Sequence, residues 1–254
     1  MSVNLSKGQK ISLDKEAGTT LTRITMGLGW DAAKTKGFLG FGSKTEAVDL
    51  DASCVMFDEN KSTSDIVWFR QLKSKDGSIV HTGDNRTGAG DGDDEQINVD
   101  LSKVPAHVKS LVFTVNSFTG QNFSQVENAY CRILNASNNQ EVARFNLSVQ
   151  GSHTAQIMAR LYRHNGEWKM HAIGENGNGR TFDDLMPQIT YCRILNASNN
   201  QEVARFNLSV QGSHTAQIMA KLYRHNGEWK MHAIGENGNG RTFDDLMPQI
   251  SVHL

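Results

Sequence analysis

The sequence predicts an all-β protein, a β-sandwich of short, mostly antiparallel strands with a few short helical turns. Three observations predict it. Apolar and polar residues alternate at period two in segment after segment. The segments recur about every ten residues, a spacing typical of sandwiches. Gly, Asn and Asp mark the breaks between them, where backbone turns need residues that tolerate unusual torsions.

Val3 with Leu5, and Ile11 with Leu13, suggest two short strands around a Lys7-Gly8 turn. Ile24, Met26, Leu28 and Trp30 share one parity while Arg23 and Thr25 take the other, which is the mark of a half-buried strand. VDLDASCVMFD (48–58) and DIVWFRQLK (65–73) are apolar on both parities and predict strands covered on both faces. EQINVDLSKV (95–104) predicts a further strand. SLVFTVNS (110–117) places Leu111, Phe113 and Val115 together, and NAYCRIL (128–134) does so with Ala129, Cys131 and Ile133. EVARFNL (141–147) aligns Ala143, Phe145 and Leu147. TAQIMARLY (154–162) aligns Ala155, Ile157, Ala159 and Leu161, and EWKMHAI (167–173) aligns Trp168, Met170 and Ala172. NFSQVENA (122–129) holds a turn of helix, and TFDDLMPQI (181–189) starts one at Thr181 that Pro187 is expected to cut short.

Residues 33–48 are Gly-rich and predict an irregular surface loop. Two nucleotide motifs there fail on chemistry. GLGWDA (27–32) fits a dinucleotide fingerprint, but no long helical pattern follows to hold a pyrophosphate. Gly37–Thr45 resembles a phosphate loop, yet Ser43 stands where a lysine should follow Gly42.

Residues 130–189 recur as 191–250 with one difference, Arg160 against Lys221. Without this 61-residue period the chain has 193 residues of unique sequence, enough for one domain with one core. The repeat starts inside a predicted strand, so it duplicates half a domain. The expected division is 1–190 as the sandwich and 191–254 as an orphan half that keeps the SVHL ending. Copy A (130–189) joins residues 1–129 without a gap, and copy B (191–250) must reach back past it. That entropic handicap is on the order of 1 kcal/mol. An orphan half exposes strand edges, and a domain-swapped oligomer is one way to cover them.

Composition narrows the function. Lys and Arg number 26 against 27 Asp and Glu, and no basic stripe occurs, so nucleic acid is not an expected partner. No apolar run approaches a membrane span, the first ten residues lack the apolar core of a signal peptide, and Cys54, Cys131 and Cys192 form no disulfide framework. A soluble cytoplasmic protein is expected. The histidines at 153, 164 and 171, and their repeats, have no metal-ligand spacing and are expected on the surface. No nucleophile constellation occurs, so catalysis is not expected.

One stretch carries chemistry. HTGDNRTGAGDGDDE (81–95) packs Asp84, Asp91, Asp93, Asp94 and Glu95 with four glycines, and only Arg86 opposes their charge. Carboxylates, the Asn85 amide and glycine-turn carbonyls are the hard oxygen donors that Ca²⁺ takes six to eight at a time. Asp84 and Glu95 mimic the ends of an EF-hand loop, but Arg86, Gly88 and Ala89 occupy positions that would have to ligate or turn. Asp49 and Asp51, at alternate positions of DLDAS, and Asp31 after GLGW are further candidates for the same site.

The chain resembles the TerD family of tellurium-resistance and stress proteins. The matching segments are SVNLSKGQKISL, GLGWD (27–31), DLDAS (49–53), LKSKDGS (72–78), HTGDNRTGAGDGDDE (81–95), VDLSKVPA (99–106), GQNFSQVENA (120–129) and LYRHNGEW (161–168), all in family order. The insert at 37–42 and the IVWFRQLKS and FTVNSF strands are closest to the TerZ-like branch. The resemblance implies a Ca²⁺-binding sandwich without established enzymatic activity. It also implies a role in tellurite, phage or chemical-stress resistance, and a membrane-associated complex with other Ter proteins. The expected function is a calcium-binding module. The alternatives are a metal-dependent enzyme using the acidic cluster, or an assembly protein that oligomerises through the repeated half.

Overall fold

The computed structural model of the chain describes residues 2–32, 34–36, 43–45, 48–85, 92–147, 151–189, 191–195, 198, 202–207, 216–239 and 242–253. The chain divides into two compact units, 1–185 and 186–254.

The first unit is a pair of six-stranded sheets. One sheet runs β1 (Val3–Leu5), β12 (Gln140–Asn146), β11 (Val126–Asn135), β3 (Arg23–Ala32), β9 (Glu95–Asp100), β8 (Ile79–His81). All its pairs are antiparallel except β1 with β12, where Val3 lies opposite Ala143. The other sheet runs β2 (Lys10–Ser12), β14 (Glu167–Gly177), β13 (Ala155–His164), β10 (Val108–Ser117), β6 (Leu50–Asp58), β7 (Thr63–Val67), antiparallel throughout. The core lies between the sheets. The expected parities fill it: Ile24, Met26, Leu28 and Trp30 from β3, Leu111, Phe113 and Val115 from β10, and Cys131 and Ile133 from β11 are all buried. Each such large side chain contributes roughly 1.5–3 kcal/mol by leaving water.

Four expectations need correction. Leu13 opens a helix, α1 (Leu13–Ala17), instead of continuing a strand; Gly18 ends it in the left-handed conformation at φ 67°. The strand predicted over 65–73 stops at Val67, because Trp68 and Gln71 exchange backbone hydrogen bonds across a tight turn. On β13 the register breaks between Ile157 and Ala159, so Met158 joins Ala159 and Leu161 in the core, and Ala155 and Ile157 are buried outside it. His153 is buried, not exposed, and stacks on Phe123 at 4.6 Å between ring centres.

Two further expectations give way as well, and one detail follows the sequence. Phe123–Gln125 is a single 3-10 turn with an Asn122–Gln125 capping box. Helix α2 (Phe182–Ile189) continues past Pro187, where it was expected to stop. In the Gly-rich stretch β4 (Lys34–Lys36) pairs with β5 (Ser43–Thr45); Gly37–Gly42 lie outside the described residues.

The join between β11 and the first 125 residues has a specific geometry. The β3–β11 register breaks between Glu127 and Tyr130, and Asn128 sits in that bulge at φ 52°. Its Nδ2 donates to Asp31 Oδ2 at 2.8 Å. Asn tolerates this left-handed conformation where β-branched residues do not. The residue that precedes copy B at the same offset is Ile189.

In the second unit the repeated sequence forms two separate hairpins, β15 (Tyr191–Leu195) with β16 (Glu202–Asn207), and β17 (Ala216–His225) with β18 (Glu228–Gly238). The helix α3 (Phe243–Val252) follows; Lys221 Nζ donates to the His253 carbonyl at 2.6 Å. Identical residues have opposite fates in the two units. Leu161 is 0% exposed and Leu222 58%; Trp168 is 7% exposed and Trp229 67%.

Candidate metal centre

The acidic residues come from three places that the fold brings together. β6 delivers Asp51, and Asp49 lies just before it; the segment after β8 delivers Asp84; the approach to β9 delivers Asp93, Asp94 and Glu95. One carboxylate oxygen from each of Asp49, Asp51 and Asp84 lies within 4.8 Å of the others. Asp51 is buried, Asp49 half-buried and Asp84 exposed, so the cluster reaches from the interior to the surface. Three carboxylates at that range repel strongly, and they offer the oxygen donors of a hard cation.

Asp94 and Glu95 form the wall beside this cluster. Trp30 N–H donates to Asp94 Oδ2 at 2.9 Å, and Asn85 Nδ2 donates to Asp94 Oδ1 at 3.0 Å. Burial raises the Asp94 carboxyl above the usual carboxylate range against the pull of the Trp30 amide, and the charges of Asp31, Asp93 and Glu95 push it the same way. Glu95 is fully buried: Oε2 accepts from Ala52 N–H at 2.7 Å and Oε1 from Asn85 N–H at 3.2 Å. It thereby ties one sheet to the other next to Asp51.

His81 belongs to the same wall and was not singled out from sequence. Gly83 N–H donates to His81 Nδ1 at 3.1 Å, so the proton of the neutral ring sits on Nε2, 3.4 Å from Glu95 Oε2, with both side chains fully buried.

Two candidates stand apart from the cluster. Asp93 turns to the other side of the β3 sheet, where Arg132 Nε donates to its Oδ1 at 2.8 Å and Tyr130 hydroxyl at 3.2 Å. Gly27 leaves the space it needs; a Cβ there would run into the Asp93 carboxylate. Arg132 also reaches Glu141 at 3.2 Å, and Arg144 stacks on the Tyr130 ring at 3.8 Å. Asp31 is exposed and receives Asn128. Asp91 lies outside the described residues. Arg132 and Tyr130 could have been noticed as polar residues on the outward parity of a strand, but no sequence spacing links them to Asp93.

Thiol chemistry has no support at Cys54 and Cys131. Both are fully buried; burial pushes the Cys131 thiol up to about 12 and Cys54 further.

Sequence comparison now adds to the geometry. The pattern of the TerD domain matches residues 1–188 and, separately, 179–249. The chain belongs to the TerD family. The tellurium resistance protein TerZ of Serratia marcescens is 50% identical over 189 residues, 74% of this chain and 96% of that protein. TerD of the same organism is 43% identical over 70% of this chain and 93% of its own length. General stress protein 16U of Bacillus subtilis is 42% identical with the same coverage. Each is thus matched nearly end to end by about three quarters of this TerD-family chain. A crystal structure of a TerD homologue from Streptomyces coelicolor A3(2) superposes with a TM-score of 0.51 at 19% identity, covering 63% of this chain and 92% of that one, which supports the fold.

Proposed function

We propose that this tellurium-resistance and stress-family protein acts as a calcium-binding module and not as a catalyst, with residues 1–190 as the binding sandwich and 191–254 as an extra half-domain. The convergence of Asp49, Asp51 and Asp84 within 4.8 Å carries the reading. Calcium would neutralise that charge and fix the Asp84 segment against β6, shaping a surface for a partner. The rest of the wall is engaged in holding the backbone: Asp94 and Glu95 are bonded to Trp30, Ala52 and Asn85. The partners in view are other Ter proteins in a membrane-associated complex, with the chain itself cytoplasmic. Free buried Cys54 and Cys131 suit a reducing compartment, and no helix among the described residues is long and apolar enough to cross a membrane.

Calorimetric titration of the full chain with CaCl₂, against the Asp51→Asn variant, tests the proposal. Wild type should bind and the variant should lose most of the affinity. At a free calcium concentration of 100 Kd, wild type should gain about 2.7 kcal/mol of stability. Absence of heat and of any rise in melting temperature at millimolar calcium would sink the reading.

A second reading, assembly through the repeated half, is favoured by the exposure of Leu222 and Trp229. Mass measurement in solution over a range of concentrations distinguishes it: a monomer throughout excludes self-assembly.

A further inference from the structure

We propose that Asn116, from the centre of the second sheet, is a cation ligand that completes the acidic cluster from the inside; this rests on the calcium reading above. Asn116 lies directly opposite Asp51 in the β6–β10 ladder. Residues directly opposed in an antiparallel pair project from the same face, with Cβ atoms about 4.5–5.5 Å apart. Asn116 therefore stands beside the most buried member of the cluster, and it is itself only 1% exposed.

The chemistry of the amide fixes which of its ends is available. Nδ2 donates to the Thr181 carbonyl at 2.9 Å and, at longer range, to the Gly179 carbonyl at 3.4 Å. Carbonyls only accept, so the nitrogen is committed to that side. The oxygen is left at the other end of the amide. Asn116 Oδ1 is fully buried and accepts no hydrogen bond among the described residues. A buried acceptor without a donor is costly and calls for a positive partner. An amide carbonyl is a normal member of a calcium coordination shell, next to carboxylates. Asp49, Asp51, Asp84 and Asn116 then give the ion three charged oxygens and one neutral one. The segment 179–181 acts as the clamp that orients the neutral ligand, so the polypeptide after β14 takes part in the site although it contributes no acidic ligand.

The test uses the full chain and four variants: Asp51→Asn, Asn116→Ala, Asn116→Asp, and Thr114→Val one row further along β10 as a burial control. Calcium affinity is read by calorimetry, and the difference in melting temperature between calcium and chelator is read for each protein, so that a loss of basal stability cancels. Asn116→Ala should weaken calcium binding about tenfold or more, with a smaller calcium-induced rise in melting temperature. Asn116→Asp keeps the oxygen and loses the amide donor, and should bind more tightly than Asn116→Ala; Thr114→Val should bind as wild type does. Wild-type affinity in Asn116→Ala, alongside lost affinity in Asp51→Asn, overturns the assignment of Asn116 and leaves the calcium reading intact. Asn116→Asp as weak as Asn116→Ala also overturns it, since the amide's hold on Thr181 would then be what matters. Should Asn116→Ala not fold, Asn116→Asp is compared with Asp51→Asn: tighter binding than that variant supports ligation, and binding as weak overturns it. No binding by wild type removes both proposals at once.

Discussion

Arg132 Nε donates to Asp93 Oδ1 at 2.8 Å, and this one bond takes a carboxylate of the acidic loop out of the acidic cluster. The Asp93 side chain is fully buried, with the guanidinium as its charged partner. Replacing Arg132 by Ala leaves that charge with Tyr130 and Gln96 as its neutral side-chain donors among the described residues. Arg132 is partly exposed, which screens the pair, so a loss of about 1–3 kcal/mol is expected in chemical denaturation. Arg132→Lys should recover little of it, because a single ammonium cannot match the fork that spans Asp93 and Glu141.

Leu161 and Leu222 are the same residue of the repeat in two environments. Leu161→Asp places a charge in the sealed core and should cost more than about 4 kcal/mol, while Leu222→Asp should fall within about 0.5 kcal/mol of wild type. Thermal unfolding of the two full-length variants checks this. If Leu161→Asp keeps a wild-type melting temperature, copy B has taken the place of copy A.

Thiol labelling gives an independent reading. Cys54 and Cys131 should resist iodoacetamide in native buffer at neutral pH and react only in denaturant, since both thiols are buried and held protonated. Tryptic peptides distinguish Cys131 from Cys192, because ENA precedes the first repeat and QIT the second. Fast labelling of Cys131 would mean that the sandwich is not built from copy A.

Asp65 supplies a pH dependence. Burial works to raise its carboxyl, but the Lys75 N–H, Gln71 and Ile66 N–H bonds hold it below the usual carboxylate range. Its folded pKa is therefore lower than its unfolded value near 3.9. The stabilisation is complete above that value and is lost as pH falls through the folded pKa. Asp65→Asn should cost about 1–2 kcal/mol at neutral pH, and its deficit should shrink below about pH 4 in acid denaturation curves.

The period-two parities of β3, β10 and β11 placed their core residues from sequence because burial on one face enforces alternation. The same logic failed on β13, where a bulge at Met158 exchanges faces without leaving a mark in composition. It also failed at Trp68–Gln71, whose apolar residues pack in a turn as Trp68 meets Phe182 ring edge to ring face at 5.2 Å. For the site, Asp84 was legible from the acidic charge of its loop, and Asp49 and Asp51 from their alternate positions on one strand. Charge alone could not show that Asp93 faces away, since its partner Arg132 is distant in sequence and brought to it by the β9–β3 and β3–β11 pairings. Asn116 and His81 were illegible for a related reason: their roles depend on cross-strand neighbours and on which polar atom another bond has already claimed.

The Asn128 bulge lies two residues upstream of the repeated block, and Ile189 stands at that offset before the second one. The first copy thus enters the fold through a kink made by a left-handed Asn, while the same place before the second copy holds a β-branched residue for which that conformation is strained.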